Sequence, residues 1–208
     1  MAVVQDLHER GLNPGTAGNA SVRFADSILI TPSGVPYPEL RPSQLVEMSL
    51  TGDVEGRLRP SSEWRFHRDI YRARPEVASV VHAHPPYATA VASLRRDLPP
   101  FHYMIAVAGG SSIRCAPYAT FGTQQLSDYV VAALQDRHAC LLANHGVVAT
   151  GGSVEGAAEL AMEVESLCET FIHASQAGTP VILSELEMAE VMARFDDYGN
   201  PGRSRVLD

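Results

Sequence analysis

The chain contains no lysine: its Lys+Arg count of 16 is made up entirely of arginines. Without a side-chain amine it cannot form a Schiff base with a carbonyl substrate, which removes one route of covalent catalysis. Cysteine is scarce as well. The three cysteines, Cys115, Cys140 and Cys168, are odd in number and widely spaced. That pattern fits reduced thiols in a cytoplasmic protein and not a disulfide framework or a CxxC metal site. No apolar run approaches the ~18 residues of a membrane span. The opening MAVVQDLHERGLN carries Asp6 and Glu9 and lacks a basic start before an apolar stretch, so it does not read as a secretory signal. Positive charge is in the minority, with a formal net charge of −8. This argues against a nucleic-acid partner and gives no polybasic handle for a membrane surface. Neither GxxxxGK[ST] nor GxGxxG occurs, so no standard nucleotide loop is present.

What is there suffices for one core. The 208 residues are 45% hydrophobic and 19% charged, which predicts a single domain over 1–208. No repeat or Ser/Gly-rich linker divides it. Ala2–Arg10 reads as an amphipathic helix closed by Gly11. SVRF and SILIT read as a hairpin turning at Ala25–Asp26, and Leu45–Leu50 as a further strand. PSSEWRFHRDIYRARP reads as a helix capped by Ser61 or Ser62, with Phe66, Ile70 and Ala73 on one face. ASVVHAH, residues 78–84, alternates like a strand, and Pro85–Leu94 reads as a helix. A helix is expected within 120–136, and two strands over 139–150 joined at Asn144-His145-Gly146. The longest helix is expected over 153–175 and a last one over 184–195. Strands mixed with helices predict an α/β layered domain.

The histidines number eight, and their placement carries the functional reading. His82 and His84 lie two apart on an expected strand and so project from one face. His145 sits in the bend of LLANHGVVA, a polar turn between core-like flanks. Three histidines with an open position make a catalytic zinc pattern, and Glu63 is the candidate fourth ligand or base. Each residue also has a plainer reading. The histidines could be polar strand and turn positions, and Glu63 a first-turn carboxylate favoured by the helix dipole. Ser61 and Ser62 read as helix caps or, with the glycine loops Gly15–Asn19 and Thr31–Gly34, as donors to a phosphate.

The ordered series GTAGNASVR, ITPSG, PSSEWRFH, VVHAHP, HYMIAVAGG, PYATFGT and ANHG resembles the zinc-dependent class II aldolase/adducin family. It is most similar to that family's L-fuculose-1-phosphate aldolase branch, from about residue 10 to about residue 200. The resemblance implies a three-layer α/β/α domain around a mainly antiparallel sheet. It also implies a homotetramer with active sites between neighbouring subunits. His82, His84 and His145 would hold Zn2+, one ion per subunit, with Glu63 as a resting-state ligand and the catalytic acid/base. Gly18, Asn19, Ser33, Gly34, Ser61 and Ser62 would hold the phosphate of a phosphorylated substrate. Tyr103 would donate a proton from across the interface. Phe121 and Phe195 would line the aldehyde pocket, and Tyr198 would act with the catalytic groups from a mobile tail over 196–208. The implied reaction cleaves a ketose 1-phosphate, foremost L-fuculose 1-phosphate, to dihydroxyacetone phosphate and an aldehyde such as L-lactaldehyde. Other family activities stay open here: aldolases of other deoxy-sugar phosphates such as deoxyribulose phosphate, and a methylthioribulose-1-phosphate dehydratase. A 4-epimerase, which carries Asp where this chain has Glu63, and a non-catalytic adducin-like module, which lacks the ligand set, fit less well.

Overall fold

In the computed structural model the described residues are 1–198. The expected hairpin is present. Strands β1 (Asn19–Phe24) and β2 (Ser27–Ile30) pair antiparallel, and Ala25 turns the chain at φ 50°. Strand β3 (Val46–Ser49) adds to β2, and β4 (Val54–Glu55) adds to β3. On the other side, β1 pairs with β5 (Ser79–Ala83). The remaining strands are β6 (Cys115–Ala116), β7 (Ala139–Leu142) and β8 (Gly146–Gly151). The sheet runs β4-β3-β2-β1-β5-β8-β7-β6. Every pairing is antiparallel except that between β6 and β7. The sequence reading did not foresee β4 and β6, each of two residues.

Helices cover both faces, which gives the three layers. Helices α2 (Trp64–Ala73) and α4 (Gln124–Ala133) lie on one face. Their Phe66, Ile70, Leu126 and Val130 pack with Val80 and Val148 of the central strands. Helices α1 (Ala2–Glu9), α3 (Pro86–Ala92) and α5 (Val154–Ala177) lie on the other, with α6 (Glu185–Tyr198) joining them. There Val4, Leu7, Val91, Ala161 and Val164 meet Val81, Ala83, Val147 and Ala149. The period of two along β5 and β8 thus sorts alternate residues into two cores. The same alternation puts His82 on the α2 side, where its ring meets Phe66 edge-on at 5.4 Å.

Helix α2 begins later than the serines predict. Its N-cap is Glu63, not Ser61 or Ser62. The reason is a competing engagement. The Ser61 N–H donates to the Thr31 carbonyl at 3.0 Å, and Pro32 and Pro60 form an antiparallel bridge. The segment before Glu63 is therefore held extended against the 31–34 loop. Ser61 still serves the helix start, accepting from Glu63 N at 3.3 Å on its hydroxyl. The three cysteines are free thiols. No helix among the described residues is long and apolar enough to cross a membrane. Of the expected tail over 196–208, residues 199–208 lie outside the described residues.

Candidate active site

Three separated segments bring four donor side chains to one point. Glu63 comes from the start of α2, His82 from the middle of the sheet with His84 just beyond the end of β5, and His145 from the β7–β8 turn. Asn144 makes that turn in the left-handed region at φ 55°, which asparagine tolerates better than most residues. The donor atoms all lie within 4.8 Å of one another. His82 Nε2 is 3.0 Å from Glu63 Oε2, His145 Nε2 is 3.2 Å from Glu63 Oε1, and His84 Nε2 is 2.8 Å from His82 Nε2.

The donor chemistry suits a metal ion. Ligand atoms about 2.0–2.2 Å from one tetrahedral ion sit about 3.3–3.6 Å apart, close to the spacings here. The His82 Nδ1–H donates to the Val147 carbonyl at 2.9 Å, which commits Nδ1 to that bond and turns Nε2 toward the cluster. Glu63 Oε1 is buried without a hydrogen-bond partner, an uncommon state for a buried carboxylate oxygen and one that a cation relieves. Burial, reinforced by His82, pushes the pKa of His84 down to about 3 and of His145 down to about 4, so both present neutral nitrogens at pH 7. Burial alone would raise Glu63, but His82, His145 and the Asn19 amide hold it well below the usual carboxylate range. Burial likewise opposes charge on His82, and Glu63 outweighs it and raises that histidine. The site therefore favours one positive charge at its centre.

Beside the cluster opens a cavity of about 430 Å3. Gly18, Asn19, Ser33, Gly34, Ser61, Ser62, Glu63, His84, His145 and Phe121 all line it. The six residues expected to hold phosphate thus line one cavity together with Glu63, His84 and His145 of the donor cluster. Their loops are tied to each other. Ser33 N–H donates to the Arg59 carbonyl at 3.0 Å, and the Tyr37 hydroxyl donates to the Gly18 carbonyl at 2.6 Å. Gly18 adopts φ 76°, and a Cβ there would fall 2.2 Å from Asn13 Oδ1, so only glycine fits.

Tyr103 and Phe195 do not line the cavity within one chain. Tyr103 opens a short 3-10 turn, 51% exposed and outside the lining. Phe195 packs on the partly buried edge of the α5-side core. Tyr198 is the last residue of α6, and its side chain lies outside the described residues. Conversely, Tyr118 and Asn144 line the cavity without having been given a role in it. Tyr118 lies within PYATFGT and Asn144 within ANHG, so the motifs held the signal. His67, to which the sequence reading gives no role, is buried one hydrogen bond from the Asn19 amide that contacts Glu63.

Comparison with known proteins agrees with this geometry. The family model described as Class II Aldolase and Adducin N-terminal domain matches residues 1–172. The 5-methylthioribulose-1-phosphate/5-deoxyribulose-1-phosphate aldolase of Rhodospirillum rubrum is 50% identical over 190 residues, 91% of this chain and 86% of that protein. The L-fuculose phosphate aldolase of Escherichia coli K12 is 50% identical over 195 residues, 93% of this chain and 91% of that one. A solved L-fuculose 1-phosphate aldolase superposes with a TM-score of 0.89 at 40% identity, covering 92% of each chain. Fold, donor cluster and relatives agree, and the chain belongs to the class II aldolase and adducin family, among its aldehyde-lyase enzymes.

Proposed function

We propose that this chain is a zinc-dependent aldolase that reversibly cleaves a ketose 1-phosphate to dihydroxyacetone phosphate and a short aldehyde, with L-fuculose 1-phosphate as the first candidate substrate. The observation that carries this reading is the meeting of a Glu/His3 donor cluster with a cavity end built from glycine loops and serines. His82, His84 and His145 would hold the ion, with Glu63 beside them. When bound, zinc supplies Lewis-acid polarisation of the ketone and takes up developing negative charge. The missing lysine supports the same division of labour, since no side-chain amine can act as the electron sink.

The remaining chemistry falls to the chain's own groups. Gly18, Asn19, Ser33, Gly34, Ser61 and Ser62 bind the phosphate through backbone N–H groups and hydroxyls, with the Asn19 carboxamide turned to Glu63, which lets an acidic protein hold an anion. Anchoring the non-reacting end orients the carbon chain and spends binding energy on the reacting centre. Glu63, buried and with a free Oε1, moves the proton at the carbon next to the carbonyl. Phe121 borders the aldehyde side. Tyr103 is exposed and lies outside the cavity of its own chain, which supports a homotetramer in which a neighbour supplies Tyr103, Phe195 and Tyr198 to the site. A cytoplasmic location is supported by the three free thiols.

A second reading has its own support. The 50% identical Rhodospirillum rubrum protein is named for methylthioribulose and deoxyribulose 1-phosphates. Both readings release dihydroxyacetone phosphate and differ in the aldehyde. A cleavage assay across L-fuculose, 5-deoxyribulose and 5-methylthioribulose 1-phosphates, with and without chelator, tests them. The expected outcome is chelator-sensitive release of dihydroxyacetone phosphate, greatest with L-fuculose 1-phosphate. Greatest release from a deoxyribulose or methylthioribulose substrate would favour the second reading. No release from any substrate by zinc-loaded protein would overturn both. Glu63→Gln is expected to lower turnover by about 100-fold or more, and wild-type turnover in that variant would refute the role of Glu63.

A further inference from the structure

Behind the donor cluster runs a buried row of polar side chains. Glu63, His67 and Tyr71 lie at i, i+4 and i+8 along the start and body of α2. Asn19 and Ser21 lie at i and i+2 on one face of β1. Four helical residues rise about 6 Å and two strand residues about 6.7 Å, so the two rows run in step and interlock. All five residues are buried. The Asn19 Nδ2–H donates to Glu63 Oε2 at 3.1 Å. Asn19 Oδ1 meets His67 Nε2, and His67 Nδ1 lies 2.7 Å from Ser21 Oγ. The Tyr71 hydroxyl donates to the Ser21 carbonyl at 2.9 Å and lies 2.9 Å from Ser21 Oγ.

The direction of each bond follows from the first. A carboxylate only accepts, so the Asn19 nitrogen faces Glu63 and its oxygen faces His67. His67 then carries its proton on Nε2 and accepts on Nδ1, and the Ser21 hydroxyl donates to it. The Tyr71 proton goes to the Ser21 carbonyl. If the Asn19 amide turned over, oxygen would face oxygen at Glu63, and His67 would have to move its proton to Nδ1 and Ser21 Oγ to accept it. Buried repulsion at Glu63 and rearrangement of the row behind it both oppose the turn.

Given the aldolase reading, on which this inference rests, we propose that His67 and Ser21 are positioning residues. They lock the Asn19 carboxamide so that it holds Glu63 Oε2 beside His82 and leaves Oε1 facing His145. Two His67 variants separate positioning from plain packing. In His67→Gln the longer amide can still offer N–H to Asn19 Oδ1. In His67→Asn the shorter amide reaches only as far as Nδ1 and cannot. Both put a neutral amide in the same buried place, so a merely structural residue would respond alike to each.

The activity readout is solvent-deuterium exchange at the hydroxymethyl carbon of dihydroxyacetone phosphate, without aldehyde, which isolates the Glu63 step. His67→Gln is expected to stay within about threefold of wild type. His67→Asn is expected to slow exchange about tenfold or more at saturating substrate, with unchanged metal content. Equal exchange in the two variants would overturn this inference alone, whereas no exchange by zinc-loaded wild type would overturn the aldolase reading with it. Ser21→Ala keeps the test alive should His67→Asn fail to fold: slower exchange is expected, and a wild-type rate would refute the proposal. Independently of activity, nitrogen-15 spectra of the metal-free protein should show His67 as its Nε2–H tautomer, and the Nδ1–H tautomer would refute the assignment.

Discussion

At the inner side of the cavity Glu63 is buried, with His82 buried behind it; Asn19 and the Val147 carbonyl bond these two side chains, and His67 bonds Asn19 in turn. At its rim, Phe121 and Tyr118 are 65% and 53% exposed. The inner end is assembled from one chain, with its geometry fixed by strand register and helix period. The rim is an aromatic surface that this chain alone leaves uncovered. On the proposed function, reaction type would be set where the structure is over-determined, and substrate choice left to the exposed rim. Two relatives of equal identity, named for different sugar phosphates, fit that division.

The largest expected break in this contrast is His84→Ala. Removing one donor from the inner cluster should abolish stoichiometric metal binding and lower turnover by at least about 1000-fold. Elemental analysis alongside release of dihydroxyacetone phosphate checks it. Full metal content in the variant would mean that the other donors suffice. Next in size is Gly18→Ala. A Cβ at φ 76° would meet the Asn13 side chain at 2.2 Å, costing about 2 kcal/mol or more and lowering Tm by about 5 °C or more. Calorimetry and the KM for the phosphorylated substrate read the two effects, and an unchanged Tm would show that the loop yields easily. The smallest is Phe121→Ala, at the exposed rim. Tm should stay within about 1 °C, since little burial is lost, while the kcat/KM ratio between fuculose and deoxyribulose 1-phosphates shifts by about tenfold or less. An unchanged ratio would remove Phe121 from substrate selection.

The inner end was also the more legible in the sequence. His82 and His84 announce themselves by strand alternation, His145 by a polar bend between apolar runs, and the glycine loops by their composition. Each is a local pattern, and the fold brings these residues together with Glu63. Two kinds of residue stayed hidden. His67 acts through residues about 50 positions away, and nothing in its neighbours marks that a helix row will interlock with a strand row. Tyr37 likewise meets Gly18 only through the fold. The start of α2 lies later than the capping chemistry of Ser61 and Ser62 suggests, because the Ser61 carbonyl accepts from Trp64 N in a tight turn that precedes the helix. Tyr103 was legible within HYMIAVAGG and Phe195 only through the family resemblance, and one chain does not bring either to the cavity.

The two strands that no pattern revealed, Val54–Glu55 and Cys115–Ala116, are also the outermost ones of the sheet. Two residues are too few to show an alternation, and equally too few to template a stray strand from another molecule. A wide sheet of eight strands would otherwise present two long rows of unpaired backbone groups to any unfolded neighbour. By tapering at both margins, the molecule guards against aggregation with the same brevity that conceals those strands.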